Sequence, residues 1–329
     1  MIRQTETSLD VNSNSLEIVN EMIKNSRKLG LAVTRLANGT TVVDAGIKAH
    51  GGLRAGLLVA KASLGGLAEV TLSAVSYSND TVLPRVNVVA DFPAISLLVC
   101  QQPFPTIEVG SYTAIVSGPG KVLVGKPEEY FKITGYSEKS KVAVFVMQGK
   151  DLPDEKVSDH LAEECRIKTR DLFLIALPTN CVANAVQVAA RVIENPIWRL
   201  SYLGFDVNRI ACALGSAPLS PTYSGMWKAP GITPDDMILY MGKVIFYAEP
   251  KKGDDLRSLV KELVTANSPL RGKSFHQILT EAGGEFKRID RRKYTVAQAA
   301  IFDTVHGKIY RAGSSHLDMI KKLTAKEDT

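Results

Sequence analysis

Between residues 180 and 196 the chain reads NCVANAVQVAARVIENP, and nearly every position is apolar. A helix of this composition buries most of its circumference, so the rest of the chain must pack around it from several sides. It follows directly on DLFLIALPT (residues 171–179), a short and mostly apolar strand. A strand that feeds a helix is where open α/β folds place their sites. Four polar residues interrupt the apolar run: Asn184, Gln187, Arg191 and Glu194. Their spacing puts them in one line along one helix face. Proline disfavours helical geometry in the residue before it, so Pro196 predicts a helix end near Asn195. Glu194 would then meet the negative end of the helix dipole, which opposes its charge, while Arg191 one turn earlier favours it. Two readings are open. One is a wet helix face with a weak surface ion pair. The other is a carboxylate under opposed influences, which is one way to build a tunable base.

At 329 residues the chain is long for one core, which predicts two domains. The charged stretch at residues 149–157 is the best linker candidate, giving approximate domains of 1–150 and 151–329, the second carrying the Arg191/Glu194 helix, with a crossing of the chain between domains left open. A net charge of +6 suits an anionic ligand or a solvated surface and is a weak argument for nucleic acid. Cys100, Cys165, Cys181 and Cys212 are scattered in apolar settings, which points to reduced thiols in an intracellular protein. The N-terminus lacks the apolar core of a signal peptide, and no stretch is apolar enough to span a bilayer. The expectation is a soluble, cytoplasmic protein.

Elsewhere the pattern mixes α and β without the regular alternation of a doubly wound sheet. Helices are expected at residues 13–30, 53–64, 90–104, 159–166, 253–264 and 275–282, with a basic terminal helix from Ser315. A hairpin is expected around Asn38-Gly39. Strands are expected at residues 67–77, 85–89, 141–147, 297–303 and 309–312, and in pieces within 106–127. Residues 236–247 read as strands split at Met241-Gly242, and residues 198–221 are ambiguous. The fold class is mixed α/β: two domains of helices packed on sheets, with a cleft between them.

Several motifs invite chemistry and lack part of it. Gly120 to Lys126 has P-loop spacing, but Pro127 stands where a magnesium-binding hydroxyl is needed. Its Val-Leu-Val interior suits a strand, and Lys126 is either an anion ligand or an exposed lysine. His160, Glu163, Glu164 and Cys165 share a helix, yet no second cluster completes a metal site. The basic group Lys287, Arg288, Arg291, Arg292 and Lys293 has only Phe286 and Tyr294 as neighbouring aromatics, so a solvated turn is favoured over a nucleic-acid patch. Gly51-Gly52, Gly65-Gly66 and Ser117-Gly118-Pro119-Gly120 are turns, or places where a flat ligand approaches the backbone.

The segments NGTTVVDAGI, AGLLVAKASLGGLAEV, DFPAIS, SGPG followed by KP, AEEC, ARVIEN, LGFDVN, APLSP, GDDLRSLV and GKIYRAG run in order from about residue 15 to about residue 320. Together they resemble the methenyltetrahydromethanopterin cyclohydrolase family of methanogenic and methylotrophic one-carbon metabolism. The resemblance implies reversible hydrolysis of a methenyl pterin cation to the formyl pterin without metal or organic cofactor. It also implies a pterin held between two α/β domains and a homotrimer. The family's catalytic Arg and Glu fall on Arg191 and Glu194, with Glu194 as general base and Arg191 tuning and orienting it. The implied substrate-binding set is Gly65, Gly66, Phe92, Pro93, Ser96, Gln102, Ser117, Gly118, Lys126 and Asn195. One departure stands out: archaeal members carry a lysine where this chain has Gln102. The alternative function is a pterin-binding paralogue with little or no turnover.

Overall fold

The computed structural model describes residues 9–78, 81–223, 231–285 and 288–324. Two six-stranded sheets organise them. The first, sheet A, holds β1 (Ala32–Arg35), β2 (Thr41–Asp44), β5 (Phe104–Val109), β6 (Tyr112–Ser117), β7 (Ala143–Gly149) and β8 (Leu172–Leu177) in the order β1-β2-β8-β7-β6-β5. Its centre is parallel, β2 with β8 and β8 with β7, and its flanks are antiparallel. The second, sheet B, holds β3 (Ala68–Ser78), β4 (Thr81–Ala90), β9 (Ile210–Pro218), β10 (Lys243–Ala248), β11 (Gln298–Asp303) and β12 (Lys308–Gly313) in the order β12-β11-β10-β9-β4-β3. Only β10 and β11 are parallel there. The fold is therefore mixed α/β.

Both sheets draw strands from either side of residue 150, and a cut there passes between the paired strands β7 and β8. The chain crosses from sheet A to sheet B after β2, returns after β4, and leaves again after β8. The expected hairpin at Asn38-Gly39 joins β1 to β2.

The helices are α1 (Val11–Lys24), α2 (Ser26–Leu29), α3 (Leu53–Ser63), α4 (Lys121–Val124), α5 (Glu128–Thr134), α6 (Glu155–Cys165), α7 (Val182–Ala189), α8 (Glu194–Tyr202), α9 (Pro234–Met241), α10 (Leu256–Glu262), α11 (Phe275–Glu281) and α12 (Leu317–Thr324). Sheet A is buried on both faces. Val144 and Val146 of β7 join Ile175 and Leu177 of β8 against α1 and α3. The alternate residues Ala143, Phe145 and Met147 join Leu172 and Leu174 against α6. Burial on both sides explains why these strands read as unbroken apolar runs. The larger core lies on sheet B, and helix α7 ties the two together: Ala183 belongs to the sheet A core, Val186 to that of sheet B.

Two expectations are corrected and one helix is narrowed. Residues 121–124, read as a strand, form the short helix α4. Residues 236–241, also read as a strand, belong to α9, which starts at Pro234 with a capping box between Thr233 and Asp236. Residues 94–101 are helical but wound as a π-helix, one residue wider per turn than an α-helix. Among the described residues no helix is long and apolar enough to cross a membrane.

Candidate active site

The helix predicted over residues 180–195 does not end at Asn195. Helix α7 stops at Ala189, residues 190–193 tighten into a 3-10 turn, and Glu194 opens α8. Pro196 lies in the first turn of α8, where its missing N–H has no intrahelical partner to lose. The dipole argument changes sign with this: Glu194 sits at the positive end of a helix, which favours its charge.

The polar line is not a wet face. Asn184 and Gln187 are fully buried, and the side chains of Arg191 and Glu194 are 8% and 6% exposed. In place of water they bind one another. Gln148 of β7 donates from Nε2 to Asn184 Oδ1 (2.7 Å), and Gln187 Nε2 donates to the same oxygen (3.2 Å). Arg191 Nε donates to Gln187 Oε1 (3.3 Å), and its Nη1 donates to Glu194 Oε2 (2.7 Å). The guanidinium is held further by the Gln101 carbonyl (2.7 Å) and by Ser117 Oγ (3.1 Å). Arg191 therefore fixes the carboxylate from a rigid fork of donors anchored in both sheets' surroundings.

Lys121, at the start of α4, is also buried, and its ammonium donates to the main-chain oxygen of Gln102. Lys121 and Arg191 thus bind adjacent carbonyls at the C-terminal end of the π-helix, its negative end. Burial lowers Lys121 to about 7. Burial raises the Glu194 carboxyl above the usual carboxylate value, against the opposing pull of Arg191 and Lys121.

Glu194 opens onto a cavity of about 780 Å³. One wall comes from sheet A and its connections: Gln102, Thr106, Ile115 and Gln148. Asp235, Ile238, Lys293, Tyr294, Trp198 and Tyr130 line it as well. The Trp198 and Tyr294 rings are 3.9 Å apart between centroids, and Tyr130 meets Trp198 edge-on. A cavity of this size and mixed lining suits a flat, partly polar small molecule. A desolvated carboxylate on its wall, held by an arginine, is chemically able to accept a proton from a bound molecule.

Of the residues expected at the site, the cavity gathers Arg191, Glu194, Asn195 and Gln102. Ser117 joins through its bond to Arg191. The others lie elsewhere. Gly118 packs on β7, where a Cβ would stand 2.9 Å from the Val144 carbonyl. Gly65 and Gly66 have positive φ, and a Cβ on either would collide with residues of the α1 region. Ser96 is buried inside the π-helix, Pro93 precedes it, and Phe92 is half exposed on the surface. Lys126 is exposed and pairs with Glu164 (3.3 Å). Cavity residues that sequence reasoning passed over are Gln148, Asp235, Trp198, Tyr130, Lys293 and Tyr294. Lys293 was grouped with a solvated basic turn. Instead it is buried, with its ammonium 4.1 Å from the Phe275 ring centre and 4.0 Å from Asp235. Arg291 lies over the Trp198 and Tyr202 rings. Phe286 and Lys287 of that group lie outside the described residues.

Known proteins resemble this chain along nearly its full length. The family model described as Cyclohydrolase (MCH) matches residues 10–323. The methenyltetrahydromethanopterin cyclohydrolase of Methanothermobacter marburgensis is 35% identical over 316 residues, 95% of this chain and 98% of the relative. Those of Methanocaldococcus jannaschii and Methanococcus maripaludis are 36% and 37% identical over the same shares. The chain belongs to the cyclohydrolase (MCH) family.

Proposed function

We propose that this protein catalyses the reversible hydrolysis of the methenyltetrahydromethanopterin cation to formyltetrahydromethanopterin, with Glu194 as general base. The observation that carries the reading is the buried Arg191–Glu194 pair on the wall of a ligand-sized cavity. It occurs in a chain whose relatives are named for this reaction. The substrate carbon lies between two nitrogens and shares their positive charge, so it is already electrophilic. Water adds to it, and Glu194 takes the proton released on attack. The hydroxyl of the adduct then loses its proton as the carbonyl of the formyl group forms, one C–N bond breaks, and the departing nitrogen takes up a proton, so that one proton is released overall. Arg191 keeps the carboxylate in place and holds its pKa down against desolvation. The reading needs no metal or organic cofactor. We extend it to a two-domain organisation around the cavity, a homotrimer and a cytoplasmic location.

The test follows loss of the methenyl chromophore with the tetrahydromethanopterin and tetrahydrofolate substrates in parallel. Turnover above the uncatalysed rate is expected with the former. Glu194→Gln should reduce it by about 100- to 10,000-fold while pterin binding stays within a few-fold of wild type. Binding without turnover in the wild-type protein would favour the paralogue instead. Gln102 makes that second reading concrete, because a neutral amide lines the cavity where archaeal relatives are expected to place a cation.

A further inference from the structure

The cavity that Glu194 lines also carries charged groups for which the hydrolysis step has no use. Asp235, in the first turn of α9, and Lys293 both line the cavity, with Lys293 Nζ 4.0 Å from Asp235 Oδ1. The Asp235 side chain is 18% exposed and Lys293 5%. Among the described residues the Asp235 carboxylate has this ion pair and its own backbone N–H as partners. That leaves acceptor capacity on a carboxylate facing the cavity. Trp198 lies on the same cavity, nine-tenths buried, and its indole Nε1 has no partner among the described residues.

These groups form a pattern. A buried carboxylate accepts two parallel N–H donors well, and the ammonium beside it donates to a carbonyl. The neighbouring Trp198 and Tyr294 rings offer an apolar face. A 2-amino-4-oxo pterin presents, along one edge of a flat ring, an exocyclic amino group, a ring N–H and a carbonyl oxygen. We propose that Asp235 and Lys293 form the subsite that reads this edge, Asp235 taking the amino and ring N–H donors and Lys293 the carbonyl oxygen. The site then sets the orientation of the ring and so which carbon reaches Glu194. These groups and Glu194 interact electrostatically: the Asp235 charge adds to the upward pressure on the Glu194 carboxyl, and Lys293 feels both carboxylates. This inference rests on the pterin reading above for the identity of the ring, while its recognition chemistry is tested without turnover.

The probes are 6-methylpterin and 6-methyllumazine, which differ in carrying an amino group or a carbonyl at ring position 2. Binding is followed by quenching of intrinsic tryptophan fluorescence. The wild-type protein should prefer the pterin by about 10- to 100-fold, the scale of a charge-assisted pair lost to an acceptor facing an acceptor. Asp235→Asn can donate to the lumazine carbonyl, so the preference should shrink to within about threefold or invert. In turnover, Asp235→Asn should raise KM by about tenfold or more and change kcat far less. A wild-type preference under threefold overturns the subsite, and that measurement needs no variant. Retention of the full wild-type preference by Asp235→Asn overturns it as well. If the wild type discriminates between the probes but does not hydrolyse the methenyl pterin, the subsite stands and the cyclohydrolase reading falls. If it hydrolyses the substrate while discrimination is absent, the reverse holds.

Discussion

Arg191 and Glu194 are three residues apart, and that spacing by itself describes thousands of weak surface pairs. Burial changes their meaning. With both side chains more than nine-tenths buried, removing one partner leaves an uncompensated charge in a dry site. Arg191→Met should therefore cost about 3–5 kcal/mol of stability, read by urea denaturation. Its effect on catalysis has a defined sign. The proposed base acts as a carboxylate, so on that proposal kcat/KM should fall as pH drops through the Glu194 pKa, which burial has already raised. Loss of Arg191 removes the largest opposing influence and should move the acid limb of the pH profile to higher pH. An unmoved or lowered limb would rule out the tuning role of Arg191. The spacing was legible in the chain. The chain from Gln148 through Asn184 and Gln187 to Arg191 was not, because its first member lies 36 residues from the second.

At the scale of elements, the break between α7 and α8 points Glu194 at the cavity. The 3-10 turn at residues 190–193 packs on β9, where Gly215 leaves room for Val192 and Ile193. A Cβ there would lie 2.4 Å from Ile193 Cγ1 and 2.7 Å from Val192 Cγ1. Gly215→Ala should force the turn away from the sheet, costing about 1–3 kcal/mol and lowering turnover through displacement of Arg191 and Glu194. Gly52→Ala, whose added carbon would meet nothing within 4 Å, serves as the control. Equal activity in the two variants would mean the turn tolerates movement. Local signals located most elements, and they failed where two signals competed. Proline after Asn195 read as a stop, yet it serves equally in a first turn. At α9 the Thr-Pro-Asp-Asp start signal was present, but the apolar stretch after it resembled a strand.

For the whole molecule, the two sheets are interleaved in sequence, and the cavity wall is assembled from segments as distant as Gln102, Gln148, Glu194, Asp235 and Lys293. Stability as a function of pH should record this burial through Lys121. Its folded value, lowered by burial to about 7, lies below the ordinary 10.5. Between those values the unfolded chain holds a proton that the folded chain has released, so stability rises with pH across the window. The slope approaches about 1.4 kcal/mol per pH unit. Cys100, Glu194 and Arg191 act on Lys121 electrostatically, and His160 and Glu164 of α6 line a small void with it. Lys121→Met should flatten the slope between pH 7 and 10, measured as urea midpoints at several pH values. A slope identical to wild type would show that Lys121 is not its source.

The sequence by itself determined what depends on near neighbours and period. That includes the Asn38-Gly39 hairpin, the apolar strands β7 and β8, the apolar α7, and the ordered motifs that mark the family. Only the tertiary structure decided which polar residues stay dry, because burial is imposed by segments far away in the chain. A wet face is one reading of Asn184 and Gln187 until Gln148 of β7 and Arg191 bond to them. Lys293 read as one more charge in a basic turn until Phe275 and Asp235 surround it. Dielectric environment sets what a carboxylate or an ammonium can do, and it is the property that local pattern does not encode.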